Sequence, residues 1–235
     1  MDEFNIQPMI AQSLMDDETE FIPLLTSDDD ENINSFKIPK ELPLLPLKNT
    51  VLFPGVVIPI TVGRDKSIKL IQEAYRKDKI IAVVSQKDNT QEEPAFHDLN
   101  MIGSVGVIMK VLRMPDGNTT VIIQGKKRIE VTGLVKDEPY MVGTVQEIIE
   151  AKPKDNNKNF SATVSSLKDL ALQIIKQSPH IPSDAAFAIK NIESPSFLIN
   201  FVASNMNLAV TDKQKMLEIG DLSERATAVL GHLSK

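Results

Sequence analysis

Residues 42–71 read LPLLPLKNTVLFPGVVIPITVGRDKSIKLI, and this stretch decides the fold. It opens on Leu42-Pro43-Leu44-Leu45-Pro46-Leu47, then an apolar run, Val51-Leu52-Phe53, meets Pro54-Gly55. A second apolar run, Val56 to Val62, stops at Gly63. Proline fixes φ and lacks an N–H, so strands holding Pro43, Pro46, Pro54 and Pro59 must lie at edges, ends or bulges. Pro54-Gly55 is a turn signal, because Pro presets φ near −65° and Gly accepts positive φ. Strand, turn, strand and helix start therefore follow one another, and a β-rich domain grows outward from them.

Downstream, the periodicity predicts a helix from Asp65 to about Asp78, with Ile68, Ile71, Ala74 and Tyr75 as its apolar stripe and Asp65 or Ser67 as its cap. Lys79 to Ser85 is β-branched and reads as a buried strand, and Gln86 to Phe96 as a polar loop. A strand from Ile102 to Met114 precedes Pro115-Asp116-Gly117-Asn118, and Thr119 to Gln124 follows it; Asp-Gly between apolar runs marks a hairpin. Gly103 and Gly106 predict a bulge or a close backbone approach. Arg128–Val135 and Tyr140–Ile149 read as two further strands.

Composition changes at residues 151–157, a polar linker. Beyond it Phe160, Val164, Leu167, Ala171 and Ile174 step at helical spacing. A short helix fits Ser183 to Asn191. Ser194-Pro195 reads as an N-cap with proline at the first helical position. Thr211 to Gln214 and Asp221 to Glu224 resemble capping boxes. Leu222, Ala226, Val229 and Leu233 carry a last stripe to the end of the chain, as in a segment of a longer protein. The expected organisation is an acidic, mostly disordered tail over 1–40, a β domain over 41–150, a linker over 151–157 and a helical bundle over 158–235.

Several of these stretches together are similar to the LON domain, the N-terminal substrate-binding region of the bacterial-type ATP-dependent Lon proteases. They are Leu42–Leu47, Phe53-Pro54-Gly55, Val62-Gly63-Arg64 with Ser67-Ile68, Ile102–Gly106, Ile122–Gly125 with Arg128, and Asn207-Leu208 through Lys213-Gln214. The resemblance implies an α+β chain: a PUA-like pseudobarrel with one helix, then a helical bundle. It also implies recognition of unfolded or damaged proteins, membership of a homo-hexamer (monomer or weak dimer alone), and a cytoplasmic location. ATP, magnesium and a Ser–Lys proteolytic pair would belong to downstream parts, so the chain itself carries no catalytic residue and no cofactor. The alternative is a stand-alone LON-domain adaptor. Ubiquitin-ligase receptors with this domain append a cysteine-rich zinc module, which a chain with no cysteine disfavours.

Chemistry read directly from the residues agrees. Gly125-Lys126 comes nearest to a phosphate loop, but position 120 is Thr and position 127 is Lys, so both the Gly pair and the magnesium hydroxyl are missing. His97, His180 and His232 lack the i, i+4 spacing of a helical zinc site. A small hydrolase would need a Ser, a histidine and an acid converging in one cleft, and no nucleophile elbow is present. No run reaches the ~18–20 apolar residues of a membrane span. Residues 1–40 hold ten acids and two lysines of the chain's 32 acids and 26 bases, leaving 22 and 24 in the body. That near-neutral body gives no electrostatic case for nucleic acid, and Lys126-Lys127-Arg128 reads as a solvated strand end. For substrate binding, flexible methionines are the natural contact, and Met101, Met109, Met114 and Met141 fall in or beside strands. Met114, at the hairpin turn, and Phe53, beside Pro54-Gly55, are the candidate substrate-binding residues; for Phe53 the reading as a core anchor is the favoured one, since Phe is usually buried.

Overall fold

The computed structural model describes residues 35–113, 118–154, 157–177 and 183–234. Contacts divide the chain into a β unit, Phe36–Ile148, and a helical unit from Ile149 onward.

The β unit holds six strands, β1 (Glu41–Leu47), β2 (Val57–Val62), β3 (Ile80–Ser85), β4 (Ile102–Arg113), β5 (Thr119–Lys136) and β6 (Val142–Glu147), with one helix, α1 (Asp65–Arg76), between β2 and β3. Their order is β2-β5-β4-β3-β1-β6, and β5 also pairs with β6. The sheet therefore closes on itself through β5. Residues 119–124 of that strand pair with β2 and 129–136 with β6, so one 18-residue strand serves two neighbours along one edge. Two separate strands were expected here; the continuous strand survives the glycine because a register shift opposite Ser104–Gly106 absorbs the bend. Leu42, Leu44, Ala82, Val84, Leu99, Val105, Ile129 and Val131 fill the interior.

Each proline finds the kind of place its chemistry demands. Gly125 N–H donates to the Val56 carbonyl at 2.9 Å, and alternation along β2 then turns the nitrogen of Pro59 to the unpaired edge. β1 meets β6 only over 41–43 and β3 only over 44–47, so Pro43 and Pro46 each lack a neighbour on one side. Pro54-Gly55 forms the expected turn, with Gly55 at φ 81° and Val56 N–H donating to the Phe53 carbonyl at 3.2 Å. Val51–Phe53, read as a strand, is irregular yet buried. Its carbonyls are met one by one instead of by a ladder: Ser104 Oγ donates to that of Leu52 at 2.7 Å, and Val56 N–H to that of Phe53. Gly125 lies under the same segment, where a Cβ would stand 2.2 Å from the Phe53 carbonyl oxygen. Gly103 meets the expectation of close approach, 2.3 Å from the Val83 carbonyl by the same measure.

α1 buries Ile71 and Ala74 of its predicted stripe, leaves Ile68 half-buried, and departs from the stripe at Tyr75. Ser67, Leu70, Ile71 and Ala74 are buried, while Tyr75 is exposed with the Lys79 ammonium 4.7 Å from its ring.

The helical unit contains α2 (Lys158–Gln177), α3 (Ser183–Asn191), α4 (Pro195–Asn205), α5 (Val210–Glu218) and α6 (Leu222–Leu233). α4 is buried along Phe197–Asn205 and packs against α2, α5 and α6. Ser194 caps it as expected, accepting from Phe197 N–H at 3.2 Å. Asp221 caps α6 through Ser223 and Glu224 N–H at 2.8 and 3.0 Å. Thr211 caps nothing, because α5 starts one residue earlier at Val210 with Ala209 ahead of it. Arg225, with no exposed surface, donates to Glu150 Oε1 (2.8 Å), Asn200 Oδ1 (3.1 Å) and the Ile219 carbonyl (2.6 Å). Residues 150 and 151 thus belong to the helical unit: Ala151 also bridges to Asp221.

Candidate functional site

The β unit carries a cavity of about 210 Å³ at the start of α1. That is far more than the ~15 Å³ needed for one water and less than the ~300 Å³ of a typical cofactor pocket, so it suits a side chain. Four separate segments build it: Leu44 and Pro46 from β1, Arg64 to Ser67 with Leu70 at the head of α1, Glu93-Pro94-Ala95 from the loop after β3, and Asp137, Tyr140 and Met141 from the β5–β6 connection. Leu44, Leu70 and Met141 are buried side chains and give an apolar floor.

The walls are held by polar contacts. Arg64 Nη2 donates to Gln86 Oε1 at 2.7 Å. Gln86, itself buried, donates through Nε2 to the carbonyls of Asp88 (2.6 Å) and Gln91 (2.9 Å), which fixes the loop leading to Glu93. Burial lowers the affinity of Arg64 for its proton, and Glu92 and Glu93 oppose that shift. Opposite, Tyr140 Oη donates to Glu73 Oε2 at 2.7 Å; burial first, and Glu73 second, push the phenol up to about 12. Lys66 pairs with Glu138 at 2.8 Å and Asp137 at 3.8 Å, and the hydrogen bond to Glu138 is the main reason its pKa is raised.

The head of α1 lacks the cap the sequence suggested. Arg64 occupies the N-cap position and no side chain accepts from the first amides. Ser67, read as a cap, sits in the first turn, 5% exposed, lining the cavity. Its hydroxyl bonds to no protein group among the described residues.

Phe53, a candidate substrate-binding residue, is corrected to a core side chain: it is 0% exposed, because the Pro54-Gly55 turn holds its backbone against Gly125 and keeps the side chain in the core. Met114 lies outside the described residues. Of the other methionines, Met141 is buried at the cavity floor, Met101 packs against the barrel core and Met109 is 41% exposed. Lys126-Lys127-Arg128 makes no exposed basic patch: Lys127 pairs with Glu147 at 2.9 Å and Arg128 is buried. Gly125 stands in the middle of β5 with its amide already bonded to Val56, so the residues do not fit a nucleotide phosphate. His97 is exposed beside Asp98, and His180 lies outside the described residues. Among the described residues, no group of three or more His, Cys, Asp or Glu side chains is placed to hold a metal, and no helix is long and apolar enough to cross a membrane.

Sequence reading missed Arg64, Glu93 and Tyr140. The nearest signal was Val62-Gly63-Arg64 followed by Ser67-Ile68, which marked the place without revealing its geometry.

A closed β barrel with one helix and a cavity beside it, apolar at its floor and charged at its walls, is followed along the chain by a helical bundle. The chain belongs to the family of the ATP-dependent protease La (LON) substrate-binding domain, whose model matches residues 41–235. It is 57% identical over 219 residues to a Lon protease of Flavobacterium johnsoniae and 45% identical over 216 residues to one of Cytophaga hutchinsonii. These alignments cover 93% and 92% of the chain but 27% of either relative, so the chain spans about a quarter of their length. Among solved structures, the N-terminal domain of a Mycobacterium avium complex Lon protease shares the fold at TM-score 0.69 and 21% identity, covering 83% of this chain and 99% of that one. A Lon N-terminal domain protein from Xanthomonas campestris superimposes at TM-score 0.56 and 18% identity, covering 81% and 97%.

Proposed function

We propose that this chain is the substrate-recognition region of a Lon-type protease and that it takes hold of unfolded or damaged polypeptide at the cavity beside α1. The carrying observation is the juxtaposition of an apolar floor (Leu44, Leu70, Met141) with uncapped donors at the head of the helix. An unfolded chain offers what such a site can use: loose apolar side chains and unpaired carbonyls. Folded proteins keep both inside. One cavity of this size binds weakly, and several copies in a homo-hexamer would raise the effective concentration for a tethered substrate. ATP hydrolysis, with its magnesium, and peptide-bond cleavage would then lie in the other three quarters of the relatives' length, and the whole would work in the cytoplasm.

The test is binding of a chemically unfolded protein and of its folded counterpart, in the absence of ATP. The unfolded form is expected to bind selectively. Ala95→Trp, an exposed substitution at the cavity mouth, should abolish that binding and leave the thermal midpoint unchanged. Undiminished binding by this variant would overturn the assignment of the cavity.

A further inference from the structure

We infer that the α1 cavity is selective for an apolar residue flanked by a basic one. The apolar side chain would rest on Leu44, Leu70 and Met141. A neighbouring peptide carbonyl would accept from Ser67, and the cationic flank would meet Asp65 and Glu93. This rests on the reading of the cavity as a polypeptide site.

Two independent features ask for an acceptor. Ser67 is 95% buried, by its 5% exposure, and its hydroxyl has no protein partner among the described residues although it lines the cavity. The amides at the start of α1 have no side-chain cap. Donors alone would accept either a carboxylate or a neutral carbonyl. The charges decide between them. Arg64 and Lys66 line the cavity, and both are committed, Arg64 to Gln86 and the Pro46 carbonyl, Lys66 to Glu138 and Asp137. Asp65 and Glu93 line it too, and neither has a cationic partner within 4.0 Å among the described residues. Glu93 acts on Arg64 and Lys66 at longer range, without an ion pair to either. Hydrogen bonds to neutral groups leave the charge of Arg64 in place, but the lining sets two cations, Arg64 and Lys66, against three carboxylates, Asp65, Glu93 and Asp137, with Glu138 on Lys66 as a fourth, so the mouth is net negative, which repels a carboxylate and attracts a lysine or arginine. A peptide carbonyl, being neutral, satisfies the donors without meeting that repulsion. The chain's own apolar cluster Phe21–Leu25 has the wrong charge for this site, with Glu20 directly before it and the acidic run 28–31 beginning three residues after it.

The test uses the full chain and fluorescent peptides with one central leucine or phenylalanine flanked by lysine, glutamine or glutamate, read by anisotropy at low and high salt. Lysine-flanked peptides are expected to bind ~10-fold more tightly than glutamate-flanked ones, from two partly exposed charge pairs, and salt should shrink the difference. Glu93→Gln with Asp65→Asn should remove the preference while the glutamine-flanked peptide binds as before. Ser67→Ala should weaken all three peptides alike, ~5-fold for one lost hydrogen bond. Equal binding of the three peptides, with each displaced by unfolded protein, would overturn the selectivity and leave the cavity assignment standing. Failure of every peptide to bind, together with undiminished binding of unfolded protein by Ala95→Trp, would overturn both.

Discussion

Arg64 donates to Gln86 across the head of α1, Nη2 to Oε1 at 2.7 Å, and this one bond joins the helix to the loop that closes the candidate site. Gln86 spends its amide on the Asp88 and Gln91 carbonyls, so the side chain is a three-way tie inside the fold. Gln86→Ala should leave a half-buried guanidinium and two carbonyls short of partners, at a cost of about 1–3 kcal/mol by thermal or urea unfolding. Binding of unfolded protein should fall further than stability does, because Glu93, Pro94 and Ala95 lose their anchor. Unchanged binding with lowered stability would separate the loop from the site.

Tyr140 gives a spectroscopic handle on the same cavity. Its phenol is pushed up to about 12, by burial before Glu73. In a near-ultraviolet titration one of the two tyrosines should ionise near that value. Glu73→Gln should bring it down only part of the way, since burial remains. A full return to the ordinary tyrosine range would mean that the carboxylate, not burial, dominates.

In the helical unit the Arg225–Glu150 pair has a different role. Arg225 is fully buried, and its guanidinium is lowered by burial and held up by Glu150. Glu150→Ala should cost about 3–5 kcal/mol, because it strands a buried charge. Arg225→Lys should not rescue the wild-type stability, as an ammonium cannot span Glu150, Asn200 and the Ile219 carbonyl together. A helical segment starting at residue 153 should melt well below one starting at 149. Equal melting of the two would show that the pair is dispensable.

Lys213 supplies a pH signature with a definite sign. It is buried, donates to the Ser204 carbonyl at 2.6 Å, and its pKa is lowered to about 8 by burial. Between pH 8 and its ordinary 10.5, the unfolded chain binds a proton that the folded one has released. Stability from this group therefore rises with pH across that window, by on the order of 3 kcal/mol in all. Below pH 8 both states are charged, and the cost of burying the ammonium is constant. Lys213→Met should be more stable than the parent at neutral pH, with the difference shrinking toward pH 10.5. A difference that grows with pH would contradict the assignment.

Much of the fold could be read from the residues. Prolines and Pro54-Gly55 placed the edges and the first turn, since their constraints are local. Helical spacing gave α2 and α6, whose buried Leu167, Ala171, Val229 and Leu233 face one way. Local signals failed where tertiary contacts override them. Val51–Phe53 has strand composition but satisfies its backbone through Ser104. Ser67 has cap chemistry but lies within the first turn of the helix, where Arg64 holds the N-cap position. Tyr75 matches the helical stripe, yet the buried face stops at Ile71 and Ala74 and takes in Leu70 in its place. Phe53 sits at a turn and points inward. The cavity itself draws on residues between 44 and 141, brought together only because β5 pairs with β6 and closes the barrel. That closure has no signature in any window of sequence.

The most direct measurement is an amide and methyl NMR titration of the full chain with a chemically unfolded protein. Shifts concentrated at Leu44, Leu70, Ala95 and Met141 are expected, and Ala95→Trp should abolish them. Shifts confined to the helices beyond residue 158, with those four unmoved, would contradict the assignment of the cavity.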